Sequence, residues 1–311
     1  LSSEALNPAA WFEATQLSAQ ARAASWVASG AELDGQYAVA LLYFGVRSAE
    51  AALAAAEAGE IAANGTLSAV RSRVAAGLDS ELTGKRAEAA ALLARSVSLT
   101  ATSDVEVSRL QLARALQQES VGALDAPPSL DLPGLVSESP YLASASAQLE
   151  AARLDHAKDI AGLFPSGSIS AGTPFDPLDW SVTVGATWTL DGVAGPLFRE
   201  RASALEIEVA KTELDAVQRE LALGIAVATS QAKAAQSVAD AAAARESLAD
   251  ESLKVGQLRL TAGLASGLEV LLLQEDLAGA RADRVASEFA AAAAILEARR
   301  MAGVRWEQRS E

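Results

Sequence analysis

His156 is the only histidine in 311 residues and cysteine is absent, which leaves little that could do covalent or metal chemistry. Thiolate metal sites, a thiol nucleophile and disulfides are all excluded. A Ser-His-Asp triad would have to use His156, which lies in a helical run with no nucleophile motif beside it. A carboxylate-bound metal in a helical bundle would need a Glu-x-x-His pair. Glu150 and His156 are instead six residues apart and project from different faces of a helix. His156 therefore reads as an ordinary helix-surface residue, and the chain as a non-enzyme with no cofactor. The carboxylates remain: Asp+Glu 40 against Lys+Arg 25 gives a formal charge of -15. That charge repels phosphate backbones and anionic lipid, so nucleic acid is not an expected partner. Most of the excess acid reads as solvated helix face, although an acidic lumen would concentrate cations.

The elements that carry these groups are set by composition. Hydrophobic residues make up 50% of the chain but aromatics only 5%, and about a quarter of all residues are Ala, the best helix former and a poor core filler. This favours long, closely packed helices over a thick globular core. Charges interrupt every apolar stretch, the longest being short pieces such as Phe289 to Leu296, so no transmembrane helix is expected. No signal peptide is visible, and a chain opening at Leu1 reads as a processed or trimmed product.

The sequence repeats itself. Arg73-Val74-Ala75-Ala76-Gly77-Leu78-Asp79-Ser80-Glu81-Leu82 aligns with Arg259-Leu260-Thr261-Ala262-Gly263-Leu264-Ala265-Ser266-Gly267-Leu268, an offset of 186 residues. The same offset, without gaps, pairs Phe12 with Phe198, Arg47 with Lys233 and Ala94-Arg95 with Ala280-Arg281. Residues 1–124 form the first repeat, 125–136 a linker marked by Pro127, Pro128 and Pro133, and 137–311 the second repeat. Leu1 aligns with Thr187, so the first copy lacks the counterpart of the second copy's opening, and its β-hairpin is expected upstream.

In the second repeat, 138–162 reads as a helix ending before Pro165. The period then changes to a β-hairpin over 166–190, turning at Pro174 to Asp179. Trp180, Val182, Val184, Ala186, Trp188 and Leu190 alternate with small polar residues. An eleven-residue strand with one apolar face and Trp near each end suits a membrane barrel, where about 9–11 tilted residues span the hydrocarbon. A soluble hairpin burying the Trp face would show the same alternation. From 196 to 302 a long helical hairpin follows, its first arm about 100 Å long if continuous to Ala262. Ile207, Ala210, Leu214, Val217 and Leu221 keep a coiled-coil spacing along it. The hairpin's tip lies near 263–266, with Gly263 ending one helix, Ser266 capping the next and Glu269 placed as in a capping box. The first repeat runs from Pro8 to about Leu116 on the same plan, with its tip near 77–80.

Taken together, the duplicated halves, the strand pair after Phe164-Pro165, the long helix beyond Gly192 and the hairpin Ala262-Gly263-Leu264-Ala265-Ser266-Gly267-Leu268-Glu269-Val270-Leu271 resemble the TolC-type outer membrane efflux proteins. Their Gly-x-x-Ser-x-x-Asp-Val-Leu tip is similar to that last segment, and the resemblance covers essentially the whole chain. It implies a mainly α fold of long antiparallel Ala-rich hairpins in two repeats, with a β-hairpin contributing to a trimeric outer-membrane β-barrel. It implies a homotrimer in outer-membrane lipid, continued by a periplasmic helical tunnel, whose tips dock on a periplasmic adaptor coupled to an inner-membrane pump. The channel would conduct passively in an efflux or type I secretion system.

Two departures follow from the resemblance. One strand pair per chain gives six strands in a trimer, fewer than the eight of the smallest barrels, so a second pair is expected upstream. The family often carries Asp at the tip constriction; here Glu269 and Leu272 stand at those positions, with Thr83 and Arg86 in the first copy. Glu269, Thr83 and Asp79 are the candidate constriction residues, and Glu269 has helix capping as its competing role. Gly77, Leu78, Ser80, Gly263, Leu264 and Ser266 are the candidate adaptor-docking tips, unless each Leu packs locally within its turn. The alternative reading of the whole chain is a soluble periplasmic coiled-coil scaffold or adaptor.

Overall fold

The computed structural model describes residues 2–6, 8–125, 130–132, 139–162, 164, 166–172, 181–187 and 194–304. In chain order the elements are β1 (Ser2–Leu6), α1 (Pro8–Ala75), α2 (Glu81–Ala115), α3 (Pro140–Ala161), β2 (Ser166–Gly172), β3 (Ser181–Thr187), α4 (Ala194–Thr261) and α5 (Gly267–Met301). The repeat is visible in their lengths. α1 and α4 have 68 residues each, and α2 and α5 have 35 each.

Two compact units divide the chain. The first takes Leu1–Leu33, Leu135–Gly224 and Ala302–Val304. Its sheet is antiparallel in the order β1-β2-β3, with Ile169 paired to Val184 on one side and to Ser3 on the other. β1 corrects the expectation that the first repeat's strands lie wholly upstream. By the repeat offset Ser2–Leu6 matches Trp188 to Gly192, the segment that follows β3 in the second repeat. Backbone pairing to β2 makes a strand of a segment too short to show alternation. In the same unit α3 is tied to α1 by Arg22 to Glu150 at 2.7 Å and by Gln16 to Asp155 at 2.5 Å. Gly30 lies beside the Tyr141 ring, where an added Cβ would stand at ordinary contact distance, 3.5 Å. The spaced residues Ile207, Ala210, Leu214, Val217 and Leu221 of α4 are all half-buried, as a seam requires.

Gly303 closes this unit. It sits at φ +74, and a Cβ there would stand 2.9 Å from the Ser139 Cα and 3.1 Å from Pro140 Cδ. A left-handed non-glycine residue costs about 1–2 kcal/mol, and a backbone contact that short adds strain of similar size. Gly303→Ala is expected to lower stability by roughly 2–4 kcal/mol, read as a shift in the denaturant midpoint. An unchanged midpoint would contradict this packing.

The second unit takes Asp34–Gly134, Ile225–Met301 and Arg305–Glu311. It contains both hairpin tips, α2, and the parts of α1 and α4 that lead to the tips. The α4/α5 seam buries Ala249, Leu253, Leu260, Val270, Leu277 and Ala280, flanked by Leu273. Leu130 and Leu132 of the linker lie against Ala228, Ala232, Ile295 and Ala298, where small side chains leave space for them. Ion pairs rim the seam: Arg281 lies 3.4 Å from Glu246 and 3.6 Å from Asp250, and Arg284 also reaches Glu246. One stretch of α1 is long and apolar enough to cross a membrane by length and composition, contrary to the expectation from its charges. The interrupting Arg47 and Glu50 pair with one another at 3.0 Å, and Glu50 pairs with Arg109 of α2 at 2.7 Å.

Candidate functional site

Each hairpin tip is built from local hydrogen bonds. Leu78 N–H donates to Arg73 O at 2.9 Å and Gly77 N–H to Val74 O at 3.0 Å, with Gly77 at φ +71. In the second repeat Leu264 N–H donates to Arg259 O at 2.8 Å and Gly263 N–H to Leu260 O at 3.0 Å, with Gly263 at φ +75. Both are Schellman turns, in which only a residue free of Cβ strain closes the helix at C′. The next helix starts at once. Ser80 Oγ accepts from Thr83 N–H and Ser266 Oγ from Glu269 N–H, each at 3.2 Å.

The apolar residue after each turning glycine does not pack locally. Leu78 is 66% exposed and Leu264 72%, and Leu82 and Leu268, four residues further on, are also exposed. Four leucines at matched positions of two rigid turns form an apolar surface with an unsatisfied drive to be covered.

The two tips touch. A Cβ on Gly267 would meet Val70 Cγ2 at 2.8 Å, Asp79 Oδ2 at 3.2 Å and Thr83 Cγ2 at 3.3 Å. The second tip can approach the first because glycine stands there. Arg73 fastens the contact, its Nε donating to Asp79 Oδ2 at 2.8 Å and its Nη1 to Leu260 O at 3.3 Å. The matched Arg259 turns to Glu269 Oε1 at 2.8 Å and Leu264 O at 3.3 Å. Of the three candidate constriction residues, Asp79 is thus buried in an ion pair, Thr83 shares its hydroxyl with Ser80, and Glu269 is half-exposed beside Arg259. The Glu269 carboxylate goes to Arg259, and its backbone N–H supplies the capping bond. Arg73 and Arg259 carry a role that the sequence reading did not assign, although an arginine repeated four residues before each turning glycine was the available signal.

Of the strand residues, Val184 and Ala186 are exposed on β3 and Val182 belongs to the same strand. Trp180, Trp188 and Leu190 lie outside the described residues. His156 is half-buried and not a free surface residue: its Nδ1 lies 3.1 Å from Ser203 Oγ, between α3 and α4.

No protein-family model and no curated protein sequence matches the chain. Solved structures do. A membrane protein from Pseudomonas aeruginosa superposes with a TM-score of 0.77 at 17% identity, over 95% of this chain and 72% of that one. The outer membrane protein VceC of Vibrio cholerae gives 0.75 at 19% identity, over 94% and 75%. The MtrE outer membrane channel of Neisseria gonorrhoeae gives 0.76 at 19%, over 93% and 70%.

The fold is that of these membrane proteins, the MtrE outer membrane channel among them.

The resemblance read from the duplicated tips and the strand pair thus extends to the three-dimensional arrangement of nearly the whole chain. Among the described residues, the tips and β3 are two of the places where apolar side chains stand exposed, and the outer faces of the long helices carry others.

Proposed function

We propose that this chain is the subunit of a homotrimeric outer-membrane channel, with a periplasmic helical extension, that passively conducts cargo handed over by a periplasmic adaptor and an inner-membrane pump. The observation that carries the reading is the exposed apolar residue on both faces of contact with surroundings: Leu78 and Leu264 at the tips, Val184 and Ala186 on β3. A soluble scaffold would bury the apolar side of β3 within the chain, and Val184 is 70% exposed. Lipid covers that face when β3 joins a closed barrel, and an adaptor helix covers the leucines. With β1, each chain brings three strands among its described residues.

Purified full-length protein inserted in a planar lipid bilayer is expected to give discrete conductance steps. A protein that extracts into the aqueous phase and leaves the bilayer silent would favour the scaffold.

Glu269 is the carboxylate we assign to the tip constriction, since Asp79 is buried in its pair with Arg73, Thr83 is neutral, and the Glu269–Arg259 pair stays open to water. Three copies facing one pore favour cations there. Glu269→Gln is expected to move the reversal potential in a salt gradient toward zero while leaving the Ser266 cap, which uses the backbone N–H, intact. An unchanged reversal potential would leave Glu269 with no role at the pore.

A further inference from the structure

Away from its tip, the second hairpin does not fill its own core. The repeat offset carries Ala228, Ala232 and Ala298 to Leu42, Val46 and Leu112. In the first repeat the large side chains are held inside: Val46 is 0% exposed and Leu112 2%. At the matched places α4 and α5 bring only methyl groups. Ala228, Ala232 and Ala298 are nonetheless buried, because Leu130 and Leu132 of the linker lie against them together with Ile295. Two leucines from a segment outside both repeats thus stand in for side chains that the first repeat supplies from its own helices, and without them the site would be a groove with no packing partners.

The same segment is also held by its backbone. Tyr43 Oη donates to Asp125 O at 2.5 Å, and Arg299 Nη1 donates to Asp131 O at 3.4 Å. Arg299 bonds in addition to the buried Tyr37. The linker is therefore fastened to α1 at Asp125 and to α4 and α5 at Leu130, Asp131 and Leu132, all within the second unit. The offset places Thr229 opposite Tyr43 and Ala113 opposite Arg299, so neither holder is repeated. These fastenings are few and shallow. Asp125 and Asp131 are exposed, Leu130 and Leu132 are half-buried, and none of them belongs to a helix or a strand ladder. Such a segment opens without breaking a single helical hydrogen bond beneath it.

We infer that Leu130, Asp131 and Leu132 are a releasable strap that makes the rigidity of the second hairpin conditional. Seated, the two leucines complete the core between α4 and α5. Lifted, they leave an alanine-lined groove, and α4 around Ala228 and Ala232 and α5 around Ile295 and Ala298 lose the contacts that hold them together. The first hairpin, filled by Val46 and Leu112, has no such dependence. The device is a property of one chain and stands apart from what the chain conducts or assembles with.

Amide exchange of the purified full chain tests the strap. Leu130→Asp with Leu132→Asp is expected to raise exchange over residues 225–232 and 291–301 by about tenfold or more, and to leave residues 39–46 and 105–115 unchanged. Ala228→Leu, Ala232→Val and Ala298→Leu copy the first repeat's side chains into the second. Added to the two aspartates, they should return exchange in α4 and α5 to its original rate, since the groove is then filled from within. In the otherwise native chain the same three substitutions should displace the strap, so that Leu130→Cys, the sole cysteine, reacts severalfold faster with a maleimide. Unchanged exchange in the aspartate variant overturns the strap, as does a rise shared equally by both hairpins. Failure of the three substitutions to restore slow exchange would also overturn it, because the leucines would then act other than by filling that groove.

Discussion

Replacing Arg73 with Ala should destabilise the hairpin pair by about 2–3 kcal/mol, whereas the same change at the matched Arg259 should cost less than about 1 kcal/mol. The residues are alike in sequence position and in having a carboxylate at 2.8 Å. Burial separates them. The Asp79 side chain is only 7% exposed and Arg73 20%, so removing the guanidinium strands a carboxylate that water cannot reach and also frees Leu260 O. Arg259 and Glu269 are 50% and 41% exposed, and water takes over either partner. Denaturant midpoints of the two variants, with amide exchange across residues 73–83, check the contrast. Equal losses would mean that burial at the first tip does not set the strength of its ion pair. Arg73 is also the only one of the two that bridges from one hairpin to the other, so its loss should raise exchange at the tips before the helices behind them.

On the proposed docking role of the tips, putting Asp at both Leu78 and Leu264 should abolish capture of the proposed adaptor while leaving the chain folded. Both side chains face solvent in the free chain, so the substitutions remove no internal packing. Covering a leucine is worth about 1.5–3 kcal/mol, so losing two predicts binding weaker by roughly a hundredfold or more, and a buried carboxylate adds to the loss. The Schellman bonds are made by backbone groups and the caps by Ser80 and Ser266, which stay in place. Recovery of cross-linked adaptor with the variant, against bilayer conductance of the same preparation, separates docking from folding. Full recovery would remove the leucines from the docking surface. Loss of both recovery and conductance would instead point to a structural role for the tips.

Most of the helical fold was legible in the chain because its signals are local. Gly77 and Gly263 need a left-handed turn, Ser80 and Ser266 cap three residues ahead, and the spacing of Ile207 to Leu221 repeats within single helix turns. Each depends on residues a few positions away, so the sequence alone determined the long helices, both tips and their duplication. Other features depended on which distant segments meet. β1 is a strand because Ser166–Gly172 offers it an edge, and nothing within Ser2–Leu6 announces that. His156 leaves the surface because α4 brings Ser203 to it. Gly267 is needed because Val70, nearly two hundred residues earlier, comes against it, and the local Arg73–Asp79 pair is covered by the second hairpin at that same junction. Ladder pairing and burial are settled by contacts between segments far apart in the chain, and only the tertiary structure decides those.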